Sequence, residues 1–383
     1  AVTLNSYGLT DAFVACYNET TANWTWAKTA GTPSIDQAWG ICTDGTNIFA
    51  TGFYEGAVFN FGTTNLSGIG NVDGFVTKLD INGNTAWSAR IGAANQNESP
   101  TSIASDGQNV FVTGNASGQA TIEFSGTPVV FSTPPGQNTD FWVCKMDATT
   151  GNCQWATSEG GSGTDISNSI LITVSNTLTV GGSFENAISL AGNALTGPGL
   201  EIFLESFDAT NGLPSAAFQA TGPGGAVVQD IAIGSGCNIF ATGKFDQILH
   251  FSSYQITSNA GSGGFVAQLD PLGAMPPRHD DDSLIACFGD SVTMRLLGNF
   301  GNVSWESSTD NGATWLTVVG VNSDTLRVSP SVTTWYRSTY TGPCYSGRDS
   351  TWVGVGGMNI ASVIGLPSLA CLSGAPIPFS VMP

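Results

Sequence analysis

The residues that commonly carry out chemistry are few in this 383-residue chain or are repeated too regularly to be catalytic. Only two histidines occur, His250 and His279, and they lie far apart in the sequence. A histidine-based nucleophile or acid–base relay therefore has no second member. Carboxylates are plentiful, and a pair about 5–10 Å apart is what glycoside hydrolysis needs. Yet Asp80, Asp147, Asp208 and Asp270 stand at the same place in a recurring segment. An active site occurs once, whereas an Asx-turn explains an aspartate at every strand end. Asp80-Ile81-Asn82-Gly83-Asn84 is oxygen-rich like a Ca²⁺ loop, but it is too short and lacks the closing bidentate Glu. Asp280-Asp281-Asp282, next to His279, reads as a solvated linker. The sequence assigns no catalytic residue, no metal ligand and no cofactor.

The elements around these residues repeat. An apolar-alternating run ending in Asp starts at Phe75, Trp142, Phe203 and Phe265, with a weaker copy at Phe13, so the period is about 62 residues. An aromatic residue follows each run: Trp26, Trp87, Trp155 and Phe218. A short strand ending in glycine closes at Gly52, Gly114, Gly182 and Gly243, and another strand precedes each, around Ile41, Ile103, Leu171 and Ile231. Every landmark alternates with period two and carries β-branched or aromatic residues. Asp44-Gly45, Asp106-Gly107, Asn82-Gly83 and Asn211-Gly212 supply the positive φ of tight hairpins. The chain is predicted to be all-β, with four antiparallel strands per repeat, as in a β-propeller blade.

Strand counting gives three whole blades over residues 36–222, preceded by the last two strands of one blade and followed by the first three of another. The expectation is about five blades with irregular closure, or a ring whose remaining blades lie outside this chain. Insertions between the second and third strands, such as 115–139 and 244–264, are where binding usually resides on such a scaffold.

The segments Ser102-Ile103-Ala104-Ser105-Asp106-Gly107 through Gly114, and Asp73-Gly74-Phe75-Val76-Thr77-Lys78-Leu79-Asp80 through Gly92, resemble the bacterial β-propeller repeat of secreted surface proteins of Bacteroidota type. That resemblance covers residues 11–270 and implies a propeller over residues 1–270, at the cell surface. Sialidase-like propellers need an arginine cluster, and residues 1–270 hold only Arg90.

Residues 271–283 break the repeat and read as a linker. Strands at 292–296, 303–307, 315–319, 325–328, 334–340 and 351–355 then predict an Ig-like β-sandwich over 284–357. Asp310-Asn311-Gly312 forms a hairpin turn within it. Trp305 to Asp310 and Thr334 to Arg337 resemble Ig-like modules of the same surface proteins, and residues 358–383 resemble the opening of a second, incomplete one.

Cys287, Trp305 and Cys344 follow the Cys…Trp…Cys order of Ig domains. Cys287 precedes the second strand and Cys344 follows the sixth, so the sulfurs could sit at opposite ends. Their pairing is still the reading, because the module holds no other cysteine. Cys144 and Cys153 flank one hairpin and are expected to pair across it. Cys16, Cys42 and Cys237 fit buried thiols as readily, and Cys371 has no local partner.

Ser283, Ser291, Thr325 and Ser350 each follow an aspartate and resemble the Asp-Ser/Thr acceptor pattern of Bacteroidota O-glycosylation.

With 29 acidic and 10 basic residues, the net charge is −19. No cationic surface is available to release counterions from nucleic acid or an anionic membrane. No apolar run reaches the roughly 18 residues that span a bilayer, and Ala1-Val2-Thr3-Leu4 lacks a signal-peptide layout. The expectation is a non-enzymatic, secreted or cell-surface protein, adhesin-like or a scaffold. Its partners would be a surface protein or glycan, or further copies of itself. The alternatives are a carbohydrate-binding lectin and a subunit of an extracellular filament.

Overall fold

The computed structural model describes residues 2–356, apart from 63, 118–120, 125–128, 133–137, 174–175, 235–237, 253, 270–277, 280–282, 288–289, 298–301, 322 and 342–345. Among the described residues every regular element is a strand, and no helix is long and apolar enough to cross a membrane. The chain divides into two compact units, Ala1–Gly234 with Asn238–Gly273, and Ala274–Pro383 with Ser235–Cys237.

The first unit opens with β1 (Ala12–Asn18) and β2 (Asn23–Gly31). The next segment holds β3 (Asp36–Thr43), β4 (Asn47–Glu55), β5 (Val58–Phe61), β6 (Thr64–Ser67), β7 (Val72–Asp80) and β8 (Thr85–Gly92). After it come β9 (Glu98–Ser105), β10 (Asn109–Ser117), β11 (Thr121–Phe124), β12 (Val130–Ser132), β13 (Thr139–Asp147) and β14 (Cys153–Glu159). The series continues through β15 (Ile166–Ile172), β16 (Thr177–Leu190), β17 (Asn193–Asp208) and β18 (Pro214–Ala220). It ends with β19 (Ala226–Ile233), β20 (Ile239–Phe251) and β21 (Tyr254–Leu269).

Three four-stranded antiparallel repeats result: β3-β4-β7-β8, β9-β10-β13-β14 and β15-β16-β17-β18. The pair β1-β2 precedes them and the three strands β19-β20-β21 follow, which is the strand count expected from the sequence. Among the described residues no hydrogen-bonded ladder joins β1 or β2 to β19–β21.

Apolar cores form between successive repeats. Phe49 and Val76 of one repeat pack with Val112 and Trp142 of the next, and Phe141 lies stacked on Phe203 at 4.8 Å. Two packing devices explain the sequence landmarks. The first strand of each repeat bulges opposite the glycine of the second strand. A Cβ at Gly52, Gly182 or Gly243 would sit about 2 Å from the first-strand carbonyl oxygen, so a side chain there cannot be housed.

The recurring aromatic residue is a latch onto the next repeat. Trp26 Nε1 donates to the Ile81 carbonyl at 2.9 Å, Trp87 to Ala148 at 3.2 Å, and Trp155 to Ala209 at 3.3 Å. Each indole lies on the turn glycine beside that carbonyl, Gly83, Gly151 or Gly212, where a Cβ would come within 2.8 Å of the ring.

The insertions also reach across repeats. The β5-β6 hairpin pairs with β2, and β11 pairs with β8. The tips of the β16–β17 and β20–β21 hairpins make bridges at Gly161↔Ile188 and Thr221↔His250. Each insertion thus lies against the end of the preceding repeat, covering strand edge that would otherwise be open.

The second unit holds β22 (Arg278–His279), β23 (Ser283–Cys287), β24 (Val292–Leu297), β25 (Asn302–Ser308), β26 (Leu316–Thr317), β27 (Thr325–Val328), β28 (Thr334–Thr341) and β29 (Ser346–Gly356). Two sheets, β22-β24-β27 and β23-β29-β28-β25-β26, enclose Trp305, Met294, Leu296, Leu326, Tyr336 and Val353. Placing the second and fifth main strands in one sheet and the third, sixth and seventh in the other is the immunoglobulin arrangement.

The linker expected over 271–283 is shorter in the structure. Arg278 and His279 pair with Leu297 and Leu296, and Ser283 begins a strand parallel to β29. His279 is buried and stacked on Trp305 at 5.2 Å, so stacking and burial override the polar composition that suggested a linker. Residues 358–383, read as a second module, lie outside the described residues.

Candidate functional site

The first strands of three successive repeats, β9, β15 and β19, are cross-linked to one another. Ser102 Oγ accepts from the Ile170 N–H at 3.2 Å, Asn168 Nδ2 donates to the Val228 carbonyl at 2.7 Å, and Ser169 Oγ donates to Asp230 at 2.7 Å. These bonds hold the strands as a rigid row, and two openings lie along it.

The first opening is a groove of about 470 Å³ lined by Trp39, Thr101, Ile166, Asn168, Val227, Gln229 and Lys244. That size suits a small ligand. Trp39 is 51% exposed. Its ring is braced edge-on against Phe53 at 5.1 Å, and its Nε1 donates to Gln37 Oε1 at 2.9 Å. A flat apolar face is thereby presented beside amides and one ammonium. The Asn168 carboxamide spends its nitrogen on Val228 and keeps its oxygen for an incoming donor.

The second opening, about 650 Å³, is lined by Thr43, Asp44, Ser105, Asp106, Gln108, Thr173 and Asn176, the hairpin tips of three successive repeats. Its carboxylates are committed. Asp44 Oδ1 accepts from the Thr46 and Asn47 N–H groups, and Asp106 Oδ1 accepts from those of Gln108 and Asn109. Those donors hold Asp44 well below the usual carboxylate range.

The recurring aspartates behave as turn caps. Asp80 accepts from the Asn82 and Asn84 N–H groups, Asp147 from those of Thr149 and Thr150, and Asp208 from that of Thr210. Asp270 lies outside the described residues.

A different set of acids, passed over in the sequence, is buried where one repeat meets the next. Burial pushes Glu98 up to about 8, Asp140 to about 6, Asp165 to about 7 and Glu205 to about 9. Each is at most 2% exposed, which seals it from a polymeric substrate. Part of the signal was present: Asp73, Asp140 and Glu201 each stand seven residues before a turn aspartate. Their burial depends on the neighbouring repeat, which spacing alone does not show.

Cys144 and Cys153, expected to pair across a hairpin, are buried together in one apolar cluster, where the Cys153 thiol bears directly on that of Cys144. Cys144 stands opposite Ala156, and Cys153 opposite Met146, with an irregularity between Lys145 and Met146. The two cysteines stand on different rungs of the hairpin, and their side chains meet in the core. Burial raises the Cys144 thiol well above its ordinary range and pushes Cys42 up to about 12, so neither is an activated thiolate. Cys16 is a free thiol. The side chain of Cys287, and the whole of Cys237, Cys344 and Cys371, lie outside the described residues.

Of the acceptor-like hydroxyls, Ser291 and Ser350 are exposed. Thr325 is half-buried, and its hydroxyl donates to Asp324 at 3.0 Å. Ser283 lies on β23, with its side chain outside the described residues.

No curated protein matches the chain. Among solved structures, the N-terminal four Ig domains of Dscam1 isoform 4.44 align at 10% identity over 68% of this chain and 95% of that one, with a TM-score of 0.18. The extracellular domain of the putative hybrid two-component system BT3049 from B. thetaiotaomicron aligns at 7% identity over 83% of this chain and 55% of that one, also with a TM-score of 0.18. Similarity at that level carries no argument about either unit. Residues 281–355, which span most of the two-sheet sandwich, match a family described as a domain of unknown function (DUF8696).

Proposed function

We propose that this chain is a non-enzymatic, secreted or cell-surface binding protein, adhesin-like in design. In this reading its repeats are blades of a β-propeller carried on an Ig-like module, and the Trp39 groove is the recognition surface. The observation that carries it is Trp39 itself, half-exposed yet braced by Phe53 and Gln37. A large apolar ring held rigid in water lowers the entropy cost of binding and offers area to a partner.

The same groove favours a glycan over a protein ligand. One face of a sugar ring is apolar and fits an indole, while its hydroxyls match Asn168, Gln229 and Thr101. Lys244 adds one cation in a chain of net charge −19, which suits a sugar bearing a carboxylate or sulfate. The exposed Ser291 and Ser350 fit the role of glycan acceptors in a surface protein.

A glycan array probed with the intact chain tests the reading. We expect binding to an acidic or neutral glycan that falls at least about tenfold in Trp39→Ala, as loss of one stacked aromatic implies. Binding that survives Trp39→Ala unchanged would move the recognition surface elsewhere. Hydrolysis of the arrayed glycans would overturn the non-enzymatic part.

A further inference from the structure

We propose that this chain assembles head to tail with further copies of itself, the outer face of β19–β21 in one copy packing on the outer face of β1–β2 in the next. Both faces belong to a kind that the repeats bury everywhere else. Phe13, Phe75 and Trp142 each stand three residues before the residue opposite a latch tryptophan. Phe203 and Phe265 hold the same place, opposite a second-strand glycine as Phe75 and Trp142 are. This aromatic packs back on the preceding repeat, and the aliphatic residue after it packs forward on the next.

The two kinds meet at each internal junction. Val14 shares a core with Phe75, Val76 with Trp142, Val143 with Phe203, and Leu204 with Phe265. Every one of these side chains is buried. The series leaves one residue of each kind over. Phe13, the backward residue of the first pair, is 61% exposed, and Val266, the forward residue of the last repeat, is 77% exposed.

Their surroundings agree. Tyr17 is exposed on the same side as Phe13, and its ring meets that of exposed Trp24 at 5.3 Å. Phe13, Ala15 and Tyr17 share that side with their rung partners Thr29, Ala27 and Trp24. None of these carries a charge, so the net charge of −19 is not concentrated on this face. At the other end Phe240 is exposed, whereas Phe49 and Phe111, which hold the same place on their second strands, are buried. Among the described residues β21 pairs with β20 alone, while β7, β13 and β17 each gain a fourth strand. Val266 lines an apolar groove of about 460 Å³ there, with Phe218, Phe251, Ile256 and Leu269.

The occupant follows from the pattern. A repeat array needs caps with a polar outer face, because a terminal repeat has no neighbour on one side. Here both ends are apolar, and each is of the kind that the other packs against inside the chain. One chain does not satisfy both: Phe13 and Val266 stay exposed, and among the described residues no ladder joins β1 or β2 to β19–β21. A second copy does so by repeating the junction already used within the chain. Such a contact joins two different faces, so it propagates or closes into a ring of copies instead of stopping at two.

Sedimentation velocity of the intact chain over a range of concentrations is the test. We expect reversible association that continues past the dimer. Val266→Asp and Phe13→Asp each bury an unpaired carboxylate in the contact, and each should weaken association at least about a hundredfold. Both side chains are exposed in the single chain, so circular dichroism should stay unchanged. Leu316→Asp, an equally exposed position in the second unit, should leave association as it is. An equimolar mixture of the Val266→Asp and Phe13→Asp chains retains one intact face of each kind. It should give a one-to-one heterodimer and nothing longer. Should Phe13→Asp fail to fold, Tyr17→Asp serves in its place.

A wild-type chain that stays monomeric up to about 10⁻³ M, the weak end of specific association, would overturn the proposal, whether its two ends cover each other or stay bare. So would association that survives Val266→Asp undiminished, or a mixture of the two variants that fails to pair.

Discussion

Asp140 and Asp147 sit at opposite ends of the same strand, β13, and their carboxyl groups are tuned in opposite directions. Asp147 is exposed at a hairpin turn, where the N–H groups of Thr149 and Thr150 and the nearby Lys78 pull it below its ordinary range. Asp140 is buried where one repeat meets the next, and burial pushes it up to about 6. The preceding repeat shows the same polarity, with Asp80 lowered at its turn and Asp73 raised at its junction. Turn acids are thus used charged, as acceptors that fix a hairpin. Junction acids are held where burial disfavours the charged form and favours the protonated one.

Substitution of glycines should show the largest contrast between the two ends. Gly160→Ala drives a methyl into the Asp140 carboxylate, and we expect a loss of about 3 kcal/mol or more. Gly107→Ala, at a turn, meets nothing within 4 Å and suffers only from its φ of 89°, at a cost of about 1–2 kcal/mol. Chemical denaturation of both variants would measure this, and equal losses would break the comparison.

The pH dependence should differ in sign. A group whose folded pKa is raised stabilises the fold below its unfolded pKa, and that contribution is lost as pH rises through the folded value. Asp140, Asp165 and Glu98, at about 6, 7 and 8, should therefore make the chain progressively less heat-stable from pH 5 to pH 9. Glu98→Gln should remove part of that decline. Asp147, lowered, contributes above the usual carboxylate range, and its contribution is lost as pH falls below it. A melting temperature that climbs steadily from pH 5 to pH 9 would contradict the assignment.

The smallest effect belongs to Asp147→Ala. Its hydrogen bonds are largely solvent-screened, so about 1 kcal/mol or less is expected, with little change in the pH profile above 5. A larger loss in the same denaturation series would mean that the turn, too, is a structural anchor.

Much of the molecule was readable from the chain alone. The 62-residue spacing, the strand order within a repeat and the partial repeats at either end all follow from period-two alternation and Asx-Gly turns. These signals are local, with partners only a few residues apart. The turn aspartates were legible for the same reason, since Asp80 and its donors fall within four residues. Trp26, Trp87 and Trp155 were visible as landmarks, but their role was not. Each donates to a carbonyl 54–61 residues away, in the next repeat.

His279 shows how local composition can mislead. Surrounded by prolines and aspartates it reads as linker, yet a stacking partner in a distant strand brings it into the core. Trp39 was not singled out in the sequence, and only the packing of four separate first strands leaves it exposed in a groove.

The sequence by itself determined the all-β character, the repeat and the turns, because short-range hydrogen bonding and side-chain alternation specify them residue by residue. Tertiary structure alone decided which acids are buried, which aromatics latch successive repeats, and where a rigid indole faces solvent. Those outcomes depend on what a neighbouring repeat brings into contact, and burial, not residue type, sets whether a carboxylate keeps its charge.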